Sequence, residues 1–310
     1  MELRNLKYLV SLEEHGSFTA AAAANFVTQP AVSIQLKKLQ EELGMRLFEI
    51  EGRQVRFTEA GRTVLKYARG YMDLESQLLK EMNDLQGLRK GRLSLGMIDA
   101  ASIYVLPGIF ARFHELYPGI DVNLEVSSTI PLLRDLENGT LDIVVGSLPL
   151  TGHAGVEVFP IYREALVPIA PPGHILTRQS VVDPADLAGH PFISFHKESV
   201  TRKIIEDALE EIGICLEITM AIDSQEAIRN LVASGFGLSI LPEWTVNEYI
   251  RKGTVAGLDV KGLRMERRLG LIVPAGRYIS STVRAFLDVL RKGLGIDLPD
   301  RLCGKGDDKK

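Results

Sequence analysis

Apolar and polar positions give the chain three textures. Residues 1–58 carry short helical periods that end in a small hairpin, and residues 59–88 carry one uninterrupted helical pattern. From Arg92 onward, apolar strand-like runs alternate with amphipathic helices, the runs lying at 93–98, 120–126, 141–146, 165–170, 217–222, 237–241 and 269–273. Such alternation predicts an α/β domain with largely parallel strands. Residues 304–310 are polar and expected to be disordered.

The middle helix has a seam. Val64, Tyr71, Leu78 and Leu85 recur every seven residues, as do Leu65, Met72 and Leu79, with Ala68 and Met82 between them and Glu75 interrupting. An apolar stripe of that length needs a partner, either a second copy of itself or the C-terminal domain of its own chain. The self-dimer is the favoured reading.

The first texture is the most specific. Ser17 is placed to cap a helix through the small run Ala20–Ala24, whose lack of bulk lets another helix cross closely. A turn at Phe26-Val27 follows. Thr28 then caps a second helix with Pro30 in its first turn, running to Leu43 and stopping at Gly44. Val32, Leu36, Leu39 and Leu43 share one buried face, while Pro30, Ile34, Lys37 and Glu41 point the other way, flanked by Ser33 and Lys38. An outward face that is small and polar at its start and cationic further along suits a DNA major groove. Gln29 and Ser33 would reach base edges, and Lys37, Lys38 and the helix-start N–H groups would meet phosphates. Ile34 would touch a thymine methyl, or is simply one exposed isoleucine. The hairpin around Glu51-Gly52 is placed as a wing, with Arg53 and Arg56 either facing DNA or pairing with Glu49, Glu51 or Glu59.

Bulk charge would not have found this function. The whole chain is net −4, and residues 1–90 hold 13 Lys and Arg against 12 Asp and Glu, so any DNA footprint is local. With 45% hydrophobic and 25% charged residues, the composition is that of a globular protein of two or three domains. No apolar run is long enough to span a bilayer, and no signal-peptide core follows Arg4 and Lys7, so the chain reads as cytosolic with no membrane partner. Cys215 and Cys303, the latter in a polar tail, are expected as reduced thiols.

Ser17-Phe18-Thr19-Ala20-Ala21, Gln29-Pro30-Ala31-Val32-Ser33, Leu43-Gly44, Leu47-Phe48 and Thr58-Glu59-Ala60-Gly61 together resemble the LysR-type transcriptional regulators. The likeness is dense over residues 1–65 and continues in layout to about residue 293. Residues 28–34 resemble the branch that regulates carbon fixation and sulfur assimilation. Ile50 departs from the pattern, since arginine is common there in the family, and leaves the wing one cation short.

The resemblance implies an all-α winged helix-turn-helix with a linker helix, followed by an α/β two-lobed, periplasmic-binding-protein-like domain. The expected division is a head at 1–58, a dimerising linker helix at 59–88, an effector domain at 92–293 and a tail at 294–310. Lobe one would take 92–163 and 269–293, lobe two 166–266, with crossover strands near 162–165 and 267–270. The implied protein binds double-stranded promoter DNA as a homodimer or, as is common in the family, a homotetramer.

In open α/β sheets, ligands bind at strand C-terminal ends and helix starts, here at 99–102, 127–129, 146–147, 195–202 and 223–225. Ala100, Ala101, Ser102, Ser128, Thr129, Phe195, His196, Thr201 and Arg202 are the candidates to touch a small-molecule effector. Helix-start N–H groups, hydroxyls and Arg202 suit a small carboxylate, sulfate or phosphate. The plainer alternative makes the hydroxyls N-caps and pairs Arg202 with Glu206. Ala100, Ala101 and Asp99 weigh against an anion. No enzyme or cofactor is expected: the histidines lack metal-ligand spacing, Gly235-Phe236-Gly237 lacks the third glycine of a dinucleotide turn, and Ser147 and Ser239 sit in no nucleophile elbow. A transport-linked solute-binding protein and a regulator with a purely oligomerising C-terminal domain are the rival readings.

Overall fold

The computed structural model describes residues 2–51, 54–85, 91–150 and 155–303, and its chain forms two compact units, 1–82 and 83–310. The first contains α1 (Leu3–His15), α2 (Phe18–Ala24), α3 (Gln29–Leu43), β1 (Phe48–Glu51), β2 (Gln54–Phe57) and most of α4 (Glu59–Leu85). Ser17 Oγ accepts the Ala20 N–H at 3.2 Å, and the buried Ala21 and Ala22 let α2 lie close in the same core as α1 and α3. Thr28 holds the N-cap position of α3, although its hydroxyl makes no capping bond, and Gly44 ends the helix at φ 66°.

Val32, Leu36 and Leu39 are fully buried, whereas Leu43, expected on the same face, is 40% exposed. The reason is the loop that follows. Gln40 Oε1 accepts the Leu47 N–H at 2.8 Å, and Leu47 fills the core in place of Leu43. The wing pairs Phe48 with Phe57 and Glu49 with Arg56 across an antiparallel ladder. Phe48 packs edge-on against both Phe18 and Phe57, fixing the hairpin to the helices.

Thr58 joins wing to α4. Its hydroxyl donates to the Arg46 carbonyl at 2.7 Å and accepts the Gly61 N–H at 3.0 Å. Gly61 is required there, because a Cβ would overlap the Leu47 carbonyl. Along α4 the predicted seam divides. Leu65 and Ala68 are buried in the head, and Val64 and Met72 pack partly against it. Tyr67, Tyr71, Leu74, Leu78, Leu79 and Met82 are exposed instead, at the three- and four-residue steps of one helix stripe. Glu75 interrupts that pattern because it pairs with Lys7 of α1 at 2.8 Å. The Leu85 side chain lies outside those described.

The second unit runs β3 (Gly91–Met97), α5 (Asp99–Tyr104), α6 (Leu106–Leu116), β4 (Ile120–Val126), α7 (Thr129–Glu137), β5 (Ile143–Leu148) and β6 (Val156–Ala170). It continues with β7 (Phe192–Ser194), α8 (Val200–Glu211), β8 (Ile218–Ala221), α9 (Gln225–Ala233) and β9 (Ser239–Pro242). The chain then forms α10 (Glu243–Arg251), β10 (Ala256–Gly257), β11 (Glu266–Pro274) and α11 (Ser281–Leu294). Besides a small cluster around Leu132, Leu136, Val144 and Ile272, two large apolar cores result, one around Leu95, Phe113, Ile143, Leu271 and Phe286, the other around Ile169, Phe192, Ile228 and Ile240. The chain passes between them in β6 and returns in β11.

The sheet is mixed rather than largely parallel. Its order is β10-β6-β11-β5-β3-β4, with β9 also on β6. β3 runs parallel to β4 and β5, but β11 runs antiparallel to β5 and to β6. The two lobe-crossing strands travel in opposite directions, so their pairing has to be antiparallel. Residues beyond 293 are not all tail: Leu298, Leu302 and Cys303 are buried in the first core, and Arg301 pairs with Glu157. Residues 304–310 lie outside those described.

Two glycines of α4 should respond oppositely to alanine. Gly61→Ala should destabilise the protein by about 1–3 kcal/mol through overpacking against the Leu47 carbonyl. Gly70→Ala, with open space around it, should stabilise it by about 0.5–1 kcal/mol through helix propensity. Urea denaturation followed by circular dichroism checks both.

Candidate DNA-reading face and ligand cleft

Thr28, Gln29, Pro30, Ile34, Lys37 and Lys38 are exposed on α3, and Ser33 is half-buried beside them. The burial of Val32, Leu36 and Leu39 turns that surface outward. Ile34 is 64% exposed on it. Lys37 Nζ lies 3.8 Å from Glu41 Oε1, an exposed pair too weak to commit the lysine. Arg56 is exposed on β2 opposite Glu49, and Arg53 lies outside the described residues. Sequence reasoning passed over one neighbour. Phe26, in the turn before α3, has φ 55° and is 97% exposed. Its signal was an aromatic residue in a polar turn immediately before a helix cap.

The second site lies between the two lobes. A cavity of 310 Å³ is lined from lobe one by Asp99, Ser128, Thr129 and Ser147, and from lobe two by Phe195, Thr201, Asp223 and Gln225, with Arg267 of β11 between them. A wider cavity of 760 Å³ shares Ser127, Ser128, Ser199 and Asp223 and adds His196, Lys197 and Arg202. Of the sequence candidates, Ser128, Thr129, Phe195 and Thr201 therefore meet at the inner cavity, and His196 and Arg202 at the outer one. Ala100, Ala101 and Ser102 reach neither. Helix α5 buries both alanines, and Ser102 Oγ turns back to donate to the Asp99 carbonyl at 2.7 Å.

Several of the hydroxyls have a local assignment, although Ser128, the N-cap of α7, makes no side-chain capping bond. Ser199 and Ser224 are N-caps of α8 and α9, accepting the N–H groups of Arg202 and Ala227. Thr129 Oγ1 accepts the Ser147 N–H at 3.0 Å. That approach depends on Gly146, whose missing Cβ leaves room for the Thr129 side chain. Arg202 is largely committed: Nε donates to Glu206 at 2.6 Å and Nη1 to the Phe195 carbonyl at 3.0 Å.

The floor of the cleft is a buried ion pair that sequence reasoning missed. Arg267 faces Glu164 across the β6–β11 ladder, and both are almost wholly buried. Arg267 Nε donates to Glu164 Oε1 at 2.7 Å, and Nη1 donates to Thr201 Oγ1 at 3.0 Å. Nη2 lies 2.6 Å from Glu164 Oε1 without the alignment of a hydrogen bond, so it and Glu164 Oε2 have no directed partner. Burial pushes the Glu164 carboxyl up and the Arg267 guanidinium down, while their mutual attraction opposes both shifts. Beside this pair, Trp244 of α10 stacks at 4.1 Å on Tyr162 of β6 and at 5.8 Å on Tyr104 of α5, bringing three aromatic rings together across the lobes.

A buried pair of this kind contributes less than its breakage costs. Glu164→Ala should destabilise the protein by about 3–5 kcal/mol, because it strands the Arg267 charge. Replacing both partners, Glu164→Leu with Arg267→Met, should recover most of that loss in the same denaturant titration.

Residues 3–62 match the family model described as bacterial regulatory helix-turn-helix protein, lysR family, and residues 86–295 match the one described as LysR substrate binding domain. The protein named "Probable RuBisCO transcriptional regulator" from Trichormus variabilis is 32% identical over 289 residues, covering 92% of this chain and 86% of that relative. The HTH-type transcriptional activator CmpR of Synechocystis sp. is 31% identical over 288 residues, covering 93% and 94%. Among solved structures, a full-length OxyR variant from Pseudomonas aeruginosa superposes with TM-score 0.68 at 25% identity, covering 98% of this chain and 96% of its own. Full-length CbnR complexed with its target DNA gives 0.63 at 23% identity, covering 94% and 100%, a likeness of fold.

Proposed function

The chain belongs to the LysR family of DNA-binding transcriptional regulators, and from that membership we propose that it binds promoter DNA as a homo-oligomer under the control of a small anionic metabolite held between its lobes. The observation that carries the DNA half is the outward face of α3. There a buried apolar stripe leaves Gln29, Ser33, Ile34, Lys37 and Lys38 on the opposite surface. Gln29 and Ser33 would read base edges, Ile34 a thymine methyl, and the lysines and Arg56 the phosphates. The relatives' names make carbon-fixation promoters the first operators to test, in the cytoplasm where such DNA lies.

The exposed stripe of α4 supports self-association, since Tyr71, Leu74 and Leu78 leave apolar surface in need of a partner. A two-fold dimer matches a two-fold operator, and pairing of dimers would give the tetramer. The metabolite would meet the helix starts of α7 and α8 and the hydroxyls of Thr129 and Thr201. It would act by favouring one lobe arrangement through differential affinity, altering subunit packing and so the spacing of DNA heads.

Lys37→Ala should weaken binding to every DNA sequence alike and lower the salt slope by about one. Gln29→Ala or Ser33→Ala should change sequence preference instead, by about 1–3 kcal/mol at the affected base pair. Fluorescence anisotropy on an operator and a scrambled duplex separates the two effects, and unchanged affinity in all three variants rejects the assigned face. Leu74→Glu with Leu78→Glu should convert the oligomer to monomer in light scattering while leaving α/β circular dichroism intact. An unaltered mass excludes α4 as the principal contact.

A further inference from the structure

The inner cavity is lined by more than groups that would receive an anion. Its floor cation, Arg267, is already neutralised by Glu164, and two further carboxylates, Asp99 from lobe one and Asp223 from lobe two, line the same space. Among the described residues, neither carboxylate has a hydrogen-bond or ion-pair partner. A ligand with negative charge alone would be repelled at that wall. Glu226 adds to it: burial first, then the Glu226 charge, push the Asp99 carboxyl up.

The same lining also presents donors. Thr129 Oγ1 and Thr201 Oγ1 each accept from a fixed N–H, of Ser147 and of Arg267 respectively, so each has its own proton left to donate. The first N–H groups of α7 and α8 have no helical acceptor. Arg267 lines the same cavity, with its Nη2 in the ion pair with Glu164 but without an aligned acceptor.

Resting on the effector-cleft reading above, we propose that the ligand is a zwitterion of the α-amino-acid class, its carboxylate held by Thr129, Thr201 and the helix starts and its ammonium held between Asp99 and Asp223. The two ends of the ligand match the two kinds of lining group at once. At 310 Å³ the cavity has the lower size of a small-molecule pocket, which suits a ligand of that class. Asp99 and Asp223 come from different lobes, and so do Thr129 and Thr201. Each charged end would therefore bridge the cleft.

The test is calorimetric titration of the full chain with L-α-amino acids, each beside its 2-oxo acid, which keeps the carbon skeleton and carboxylate but lacks the ammonium. At least one amino acid should bind, and more tightly than its 2-oxo acid by at least about tenfold, as a site with unmatched polar groups requires. Asp223→Asn should weaken the amino acid and leave or strengthen the 2-oxo acid, closing that gap. Thr201→Val should weaken both. If 2-oxo acids or inorganic sulfate bind as tightly as amino acids and lose affinity in Thr201→Val, the zwitterion is overturned while the anion cleft stands. Absence of binding by any amino acid also overturns it. Amino-acid binding untouched by both substitutions lies outside the cleft and overturns the cleft reading as well.

Discussion

Between the two large cores of the second unit the described chain crosses in β6 and β11, and what those strands do at the crossing determines what the cleft can be. Their antiparallel ladder runs from Val156↔Pro274 to Ala165↔Glu266, with a shift in register at Leu269/Gly270. Ladder pairing with neighbouring strands on both sides gives the crossing backbone its hydrogen-bond partners, so side chains there can be buried without stranding the chain itself. Glu164 and Arg267 use that position. Their pairing removes two charges from water, which is tolerable only while both are present. It also gives the cleft floor a neutral character and ties the ladder to the first turn of α8 through Thr201. The hydroxyl of Thr201, the charge balance of the cavity and the registration of lobe two on the crossover are thus one arrangement.

The head rests on a different constraint, close approach. Ala21 and Ala22 allow α2 into the core, and Gly61 allows α4 to pass the Leu47 carbonyl. The small-residue run was legible in the sequence because it depends on local spacing, as were the N-cap, the proline in a first turn and the glycine stop at Gly44; the Gly61 approach was not. The same local logic failed at Leu43 and along α4. Periodicity specifies which residues share a face, but not which neighbour the face meets. Leu47 displaced Leu43 through the Gln40 bond, and the head absorbed Leu65 and Ala68 from a stripe assigned to a partner.

In the second unit, element type was legible and pairing was not. The runs around 93–98, 120–126 and 269–273 all became strands, yet most of β6 was overlooked because Glu157, Pro160, Arg163 and Glu164 break its apolar pattern. The crossovers were located near 162–165 and 267–270 from family likeness, but the contact of Glu164 with Arg267 spans 103 residues and left no local trace. A charged residue amid a strand was the available signal. For Ala100 and Ala101 the opposite error occurred. Loop position suggested a ligand contact, whereas α5 turned both side chains into the lobe and left Asp99 at the cavity.

The two kinds of lining group also bear on how a small ligand could move lobes of this size. Differential affinity for two arrangements is the only source of a shift, and a ligand held wholly by one lobe has none to offer. Here every class of partner is split: hydroxyl donors at Thr129 and Thr201, carboxylates at Asp99 and Asp223. Asp99 and Asp223 come from different lobes, so without ligand any motion that brought them nearer would be opposed by their repulsion. With a cation between them the same approach becomes favourable, so one charge changes the sign of the closing interaction. Tyr104, Trp244 and Tyr162 bridge the same lobes through apolar surface, and that contact does not depend on the ligand's charge. Under the proposed zwitterion, aromatic packing holds the lobes in register, and the ligand's two charges determine which register is held.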